Sequence, residues 1–191
     1  QRGRQAAKRR KASMEERAAT LLSSSEAFKG RIFTITVDRV RLPNGRTATL
    51  DMVRHRGSVV LLPLADDGRI VLIRQYRFAL DQWIWELPAG SLDPGEDPVA
   101  AAARECEEEI GLVPSRVEHA GSWYPTPGFC TEVMHYYRLT GLRRPGPDRP
   151  QPHADPDEDI RVHVFTLDEA RDMVRRGDIV DLKTAWGLTL A

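Results

Sequence analysis

The chain has 191 residues, 41% hydrophobic and 29% charged, and its 28 basic and 28 acidic side chains leave a formal net charge of zero. That length suits one domain, or one domain with a small appendage, and permits a core of useful size. The neutral balance excludes a chain-wide electrostatic footprint for nucleic acid. No apolar run approaches the roughly 20 residues needed to span a bilayer, so neither a nucleic-acid nor a membrane partner is expected.

The first eleven residues, QRGRQAAKRRK, are basic and lack the apolar stretch of a secretory signal. With Met14 downstream, residues 1–13 read as a disordered tail, an upstream extension or a processed remnant. A nucleic-acid arm or an organelle-targeting segment is the minority reading for one short charge run. Residues 1–24 are therefore expected to form a basic, disordered tail. RIFTITVDRV (31–40) alternates as a strand, Asn44-Gly45 marks a hairpin turn, and 47–54 returns. This predicts a small antiparallel β unit over 25–55 and a second domain over 56–191. SVVLLPL (58–64) reads as a buried strand, Asp66-Asp67-Gly68 as a turn, and RIVLIRQY (69–76) as the next strand. WIWELPAG (83–90) leads into a glycine-bearing loop, and Trp83 and Trp85 within it read as core residues.

Asp97 suits a helix N-cap and Pro98 its first turn. Val99 to Ile110 is rich in Ala and Glu and free of Gly and Pro, which predicts a helix, and Gly111 suits its left-handed end. Positions three and four apart share a helix face, so Glu105, Glu108 and Glu109 converge while Glu107 points elsewhere. Like charges at that spacing repel by roughly 0.2–0.5 kcal/mol per pair on an exposed helix, and more where water is excluded. A divalent cation removes that penalty, and oxygen-only ligands favour Mg2+ or Mn2+ over zinc. The alternative is a solvated acidic face. Against it, Glu107, Glu108 and Glu109 crowd the last turn, where the helix dipole disfavours negative charge. Cys106, inside this helix, reads as a small buried hydrophobe, and neither it nor Cys130 as a disulfide partner; a reducing cytoplasm suits both.

Strands are expected near 117–123, 132–140 and 160–165. Residues 143–157 form a Pro-rich polar loop, a helix capped by Thr166 or Asp168 runs to Arg176 and ends at Gly177, and a last helix covers 181–190. Strands and helices in this order suggest an α/β/α sandwich around a mixed sheet. Arg77, at the end of an apolar strand, suits a bidentate diphosphate contact.

The spacing G-x5-E-x7-R-E-x-x-E-E-x-G, filled by Gly90, Glu96, Arg104, Glu105, Glu108, Glu109 and Gly111, resembles the signature of the Nudix hydrolases. The resemblance covers about residues 25–190. RQYRFA (74–79), WELPAG (85–90), YPTPGF (124–129) and DEDIRVHVF (157–165) look like the ADP-ribose pyrophosphatase branch. The resemblance implies the same α/β/α fold. It also implies Mg2+-dependent hydrolysis of ADP-ribose to AMP and ribose 5-phosphate. Glu105, Glu109 and the carbonyl of Ala89 are then metal ligands, with Glu108 on a second metal or acting through water. Arg104 orients a carboxylate, and Gly90 and Glu96 support the loop. Glu158 orients or deprotonates the attacking water from a mobile loop. Arg77, Gly128 and, more weakly, Glu86 face the substrate, and Pro127, also on the substrate, marks the ADP-ribose preference. Phe33 and Arg54 reach an adenine site shared between subunits of a homodimer. The rivals are another nucleoside-diphosphate sugar as substrate, oxidised nucleotides more distantly, or a non-catalytic ADP-ribose sensor.

Overall fold

The computed structural model describes residues 18–146 and 159–191. Much of the expected basic tail and the Pro-rich loop from 147 onward, with Glu158, lie outside the described residues. The chain forms two compact units. One runs to His55 and includes Gly128–Thr131; the other comprises Arg56–Pro127 and Glu132–Ala191.

The N-terminal unit is a three-stranded antiparallel sheet of β1 (Thr20–Lys29), β2 (Phe33–Arg41) and β3 (Thr47–His55). Gly45, at φ 84°, makes the β2–β3 turn possible, since a left-handed conformation there excludes most side chains. β1 begins within the stretch expected to be a tail. Its side chains are all exposed, so no burial pattern announces it; backbone pairing to β2 makes it a strand. Later residues join this unit: Val53 N donates to Phe129 O (2.7 Å), and Thr131 N donates to Val53 O (3.0 Å). Asp38 is buried and held by Ser24 Oγ at 2.6 Å and by Arg54.

In the second unit, β4 (Ser58–Pro63) is buried along its whole length. A strand with both faces covered shows a continuous apolar run rather than alternation. It pairs in parallel with β9 (Met134–Thr140) and antiparallel with β7 (Ala89–Ser91), and β9 pairs antiparallel with β8 (Arg116–Trp123), giving a mixed sheet of order β7-β4-β9-β8. A second, antiparallel sheet has the order β10-β5-β6, from Ile160–Phe165, Ile70–Arg77 and Gln82–Glu86. Alternate residues of β4 enter two cores. Val59 and Leu61 pack with helix α1 (Pro98–Ile110) through Ala101, Ala102 and Cys106. Val60 and Leu62 pack with α2 (Leu167–Arg176) through Ala170 and Met173. This is the helix–sheet–helix layering that the order of elements predicts. Leu61 is fully buried, and truncating such a side chain to alanine costs about 2–5 kcal/mol. The last helix, α3 (Leu182–Gly187), is shorter than the expected 181–190. Among the described residues no helix is long and apolar enough to cross a membrane.

Candidate active site

Helix α1 starts where local chemistry dictates. The Asp97 side chain accepts from Val99 N, Pro98 opens the first turn, and Gly111 ends it at φ 67°. Because Ala101, Ala102, Cys106 and Ile110 turn into the core, the signature glutamates lie along the helix flank beside β7. Glu105 and Glu109 are buried, at 9% and 7% exposure, and Glu107 is buried as well. This is not a solvated acidic face.

β4 places β7 opposite α1 by pairing Val59 with Gly90 and Val60 with Ala89. The Glu105 carboxylate lies directly on Gly90, where an added Cβ would overlap it. Glu109 accepts from Ala89 N at 2.9 Å. Arg104 joins the rest. Its Nη1 donates to Glu105 and Glu108, each at 2.7 Å, while Nε and Nη2 grip both oxygens of Glu96 at 2.9 Å. Glu96 above all, against burial, holds the guanidinium still more firmly charged than usual, with Glu105 and Glu108 adding to it. The same pairing keeps the Glu96 carboxyl below its ordinary value. Glu96 also accepts from Asp93 N at 3.0 Å, which closes the loop before α1.

The side chains that face the signature loop are carboxylates, a hard all-oxygen set that fits a divalent cation such as Mg2+ or Mn2+. Arg104 spans Glu105 and Glu108, and among the described residues no three His, Cys, Asp or Glu side chains are gathered into a ready-made metal cage. The fit therefore lies in donor chemistry and in the anchoring of each carboxylate. Cys106 is no competing ligand. Burial, with Glu107 and Glu109 nearby, pushes its thiol up to about 12, so it stays neutral.

A second cluster adjoins this one. Arg77, at the end of β5, grips Glu86 with Nε at 2.5 Å and Nη2 at 2.8 Å. Its bidentate fork is thus spent on a protein carboxylate, and the outer edge of the guanidinium faces away from Glu86. Glu86 is 2% exposed and also accepts from Lys183 on α3. Burial would raise its carboxyl, but Arg77 and Lys183 together keep it below the ordinary value. Glu86 therefore lies behind Arg77 rather than open at the surface. Lys183 escapes sequence reasoning. The available signal is a lysine in the first turn of a helix, where the dipole disfavours a cation.

The other expected residues are dispersed. Phe33 opens β2, exposed and tilted against Phe28 at 6.3 Å, and Arg54 on β3 pairs with Asp38; both belong to the N-terminal unit. Pro127 and Gly128 are exposed in the connection between β8 and β9 and fall in different units. Trp85 packs against the second core, as the sequence suggests, whereas Trp83 lies edge-on to Tyr76. Both are half-buried, with Arg161 over the Trp83 ring at 4.2 Å and Arg74 over that of Trp85 at 5.1 Å. Alternation puts them on one face of β6, and each ring also carries a guanidinium over it.

The mixed two-core sheet, the signature helix and its glycine-bearing loop define a Nudix domain. The Nudix domain model matches residues 53–183, and the chain belongs to that family. A model of the nucleoside diphosphate sugar hydrolase N-terminal domain matches residues 20–49. The chain is 33% identical over 176 residues to the ADP-ribose pyrophosphatase of Bacillus subtilis (strain 168), covering 92% of each chain. It is 38% identical over 169 residues to an ADP-ribose pyrophosphatase of Mycobacterium tuberculosis (strain ATCC 25618 / H37Rv), covering 88% of this chain and 80% of that one. Its fold matches the crystal structure of an ADP compounds hydrolase with a TM-score of 0.74 at 22% identity, over 93% of this chain and 94% of that chain.

Proposed function

We propose that the chain hydrolyses the diphosphate bond of ADP-ribose, water adding across it to give AMP and ribose 5-phosphate, with Mg2+ as cofactor. The observation that carries this reading is the seating of Glu105 and Glu109 on the Ala89-Gly90 loop beside Arg77, in a chain that aligns nearly end to end with an ADP-ribose pyrophosphatase.

Glu105, Glu109 and the Ala89 carbonyl would hold the cation, and Glu108 would hold a second one or act through water. When bound, the cation would offset the charge of the diphosphate and make water a better nucleophile. Arg104 bridges Glu105 and Glu108 and is itself held by Glu96. Gly90 leaves room for Glu105. Arg77 offers the outer edge of its guanidinium to the diphosphate and aligns it for attack. Glu86 acts through Arg77. Glu158 is the residue proposed to orient or deprotonate the attacking water. Pro127 and Gly128 contact the substrate. Phe33 and Arg54 serve the adenine from the N-terminal unit of a homodimer; the exposed Leu21, Phe28, Ile32 and Phe33 of that unit support such pairing. Both thiols suit a cytoplasmic enzyme.

The match of residues 20–49 to the N-terminal domain of nucleoside diphosphate sugar hydrolases favours, as second reading, another sugar nucleotide as substrate. A coupled phosphatase assay decides, with ADP-ribose and a panel of nucleotide sugars, with and without Mg2+. Mg2+-dependent cleavage of ADP-ribose in preference to the panel, lowered by at least about a hundredfold in Glu109→Gln, supports the proposal. Faster turnover of another sugar replaces the substrate, and full activity in Glu109→Gln refutes the metal site. Binding of ADP-ribose without turnover would make the chain a sensor.

A further inference from the structure

Lys183 sits in the first turn of α3, against the helix dipole, with its side chain only 15% exposed. Burying an ammonium there is unfavourable unless it is paired. It donates to Glu86 and, at 2.8 Å, to Asp181. Two cations, Arg77 and Lys183, thus balance two carboxylates, Glu86 and Asp181.

The same end of α3 grips the chain just before the signature loop. Leu87 N donates to Thr184 Oγ1 at 2.7 Å, and Thr184 Oγ1 donates to Asp181 at 2.6 Å. Tyr136 Oη donates to the Lys183 carbonyl at 3.2 Å. A side chain at Gly187 would overlap Leu87, so helix and loop are in direct contact. Helix α3 therefore fixes Glu86 and Leu87, a few residues ahead of the glycine on which Glu105 rests.

Of the five N–H bonds of Arg77, two go to Glu86. The guanidinium also lies within electrostatic reach of Glu109 and Asp181. It thus stands near Glu109, one of the glutamates assigned to the metal, and the donors not spent on Glu86 can meet an anion there. Without Lys183, the buried Glu86 carboxylate would have Arg77 as its sole cation and would draw the guanidinium inward.

We propose that Lys183 is a positioning residue for substrate binding, holding Arg77 through Glu86 so that its free edge can clasp the substrate diphosphate. The proposal rests on the hydrolase reading above and adds to it a residue from the C-terminal helix. The Lys183 ammonium bonds to Glu86 and Asp181 rather than to the glutamates assigned to the metal, so it governs binding more than chemistry.

The test is steady-state kinetics on ADP-ribose with Mg2+ for wild type, Lys183→Met, Lys183→Arg, Glu86→Gln and the double variant Lys183→Met/Glu86→Gln, with thermal melts for each. For Lys183→Met, KM should rise roughly ten- to a hundredfold and kcat stay within about threefold, as for lost binding shared by ground and transition states. Lys183→Arg should recover most of the loss. In the Glu86→Gln background, Lys183→Met should add almost nothing, because the two act as one unit. Should the Met variant not fold, Lys183→Gln replaces it, with KM expected to rise in the same direction. Calorimetric titration of ADP-ribose in EDTA gives the same comparison without turnover. An unchanged KM, a loss confined to kcat, or an undiminished effect in the Glu86→Gln background overturns the proposal. Wild type that binds ADP-ribose but does not cleave it refutes the hydrolase reading, while the binding titrations still decide the role of Lys183.

Discussion

Gly90→Ala separates the stability of the fold from the geometry of the site. The φ of Gly90 lies outside the left-handed region, so the backbone accepts alanine. At such a position Gly→Ala stabilises by about 0.4–1 kcal/mol through the unfolded chain. The new methyl meets the Glu105 carboxylate, the far end of a flexible side chain, which must swing away. That breaks its bond from Arg104 at 2.7 Å. A hydrogen bond to a charged group contributes about 1.5–3 kcal/mol, less here because Arg104 is about a third exposed. The net cost is therefore about 0–2 kcal/mol, a Tm drop of no more than about 8 °C for a chain of this size. The site suffers more, since misplacing a reacting group by about 1 Å can cost on the order of a hundredfold in rate. A melt and an Mg2+ titration of ADP-ribose cleavage measure both effects. The expected outcome is a folded protein, kcat/KM reduced about a hundredfold or more, and half-saturation at higher Mg2+. Activity within about threefold of wild type would refute the placement of Glu105 as a metal ligand seated on Gly90.

Two further outcomes follow from the paired carboxyls and from the two thiols. The Glu96 carboxyl, through its bonds to Arg104, and the Glu86 carboxyl, held by Arg77 and Lys183 against the opposing effect of burial, both lie below their ordinary value of 4.5 in the folded chain. Such groups contribute stability that is complete above the ordinary value and is lost as pH falls through the lowered one. Urea midpoints should fall as pH drops below about 5, less steeply in Glu96→Gln; a rise on acidification below that point would contradict the pairing. The thiols supply the other outcome. Cys106 is buried with its pKa pushed up to about 12, whereas Cys130 is half-buried. Ellman's reagent at mildly alkaline pH should label Cys130 in the native protein and Cys106 only after unfolding. Equal rates for both thiols in the folded chain would show that the helix does not protect Cys106.

Much of the site is legible in one stretch of chain. Asp97 and Gly111 bound α1, and Thr166 caps α2 by the capping box with Glu169. These are contacts over a few residues, and their geometry travels with the residue types. The convergence of Glu105, Glu108 and Glu109 follows in the same way from helical spacing. Partnership between distant segments is not legible. WIWELPAG reads as one lead-in, yet its two ends enter different sheets. Glu86 closes β6 beside β5, whereas Ala89 opens β7 beside β4. β1 carries no apolar rhythm and exists because β2 offers it a free edge.

The sequence by itself determined the acidic helix, its ends and the faces of its glutamates, because an α-helix relates residues three and four apart by one fixed geometry. It also determined that β4 is buried on both faces, because an unbroken apolar run leaves no face for water. Only the tertiary structure decided which cation meets which carboxylate. Arg104 reaches back to Glu96 across the loop, and Lys183 meets Glu86 from 97 residues away. Such pairings depend on where β5, β6 and α3 pack, and no spacing within any one of them encodes that.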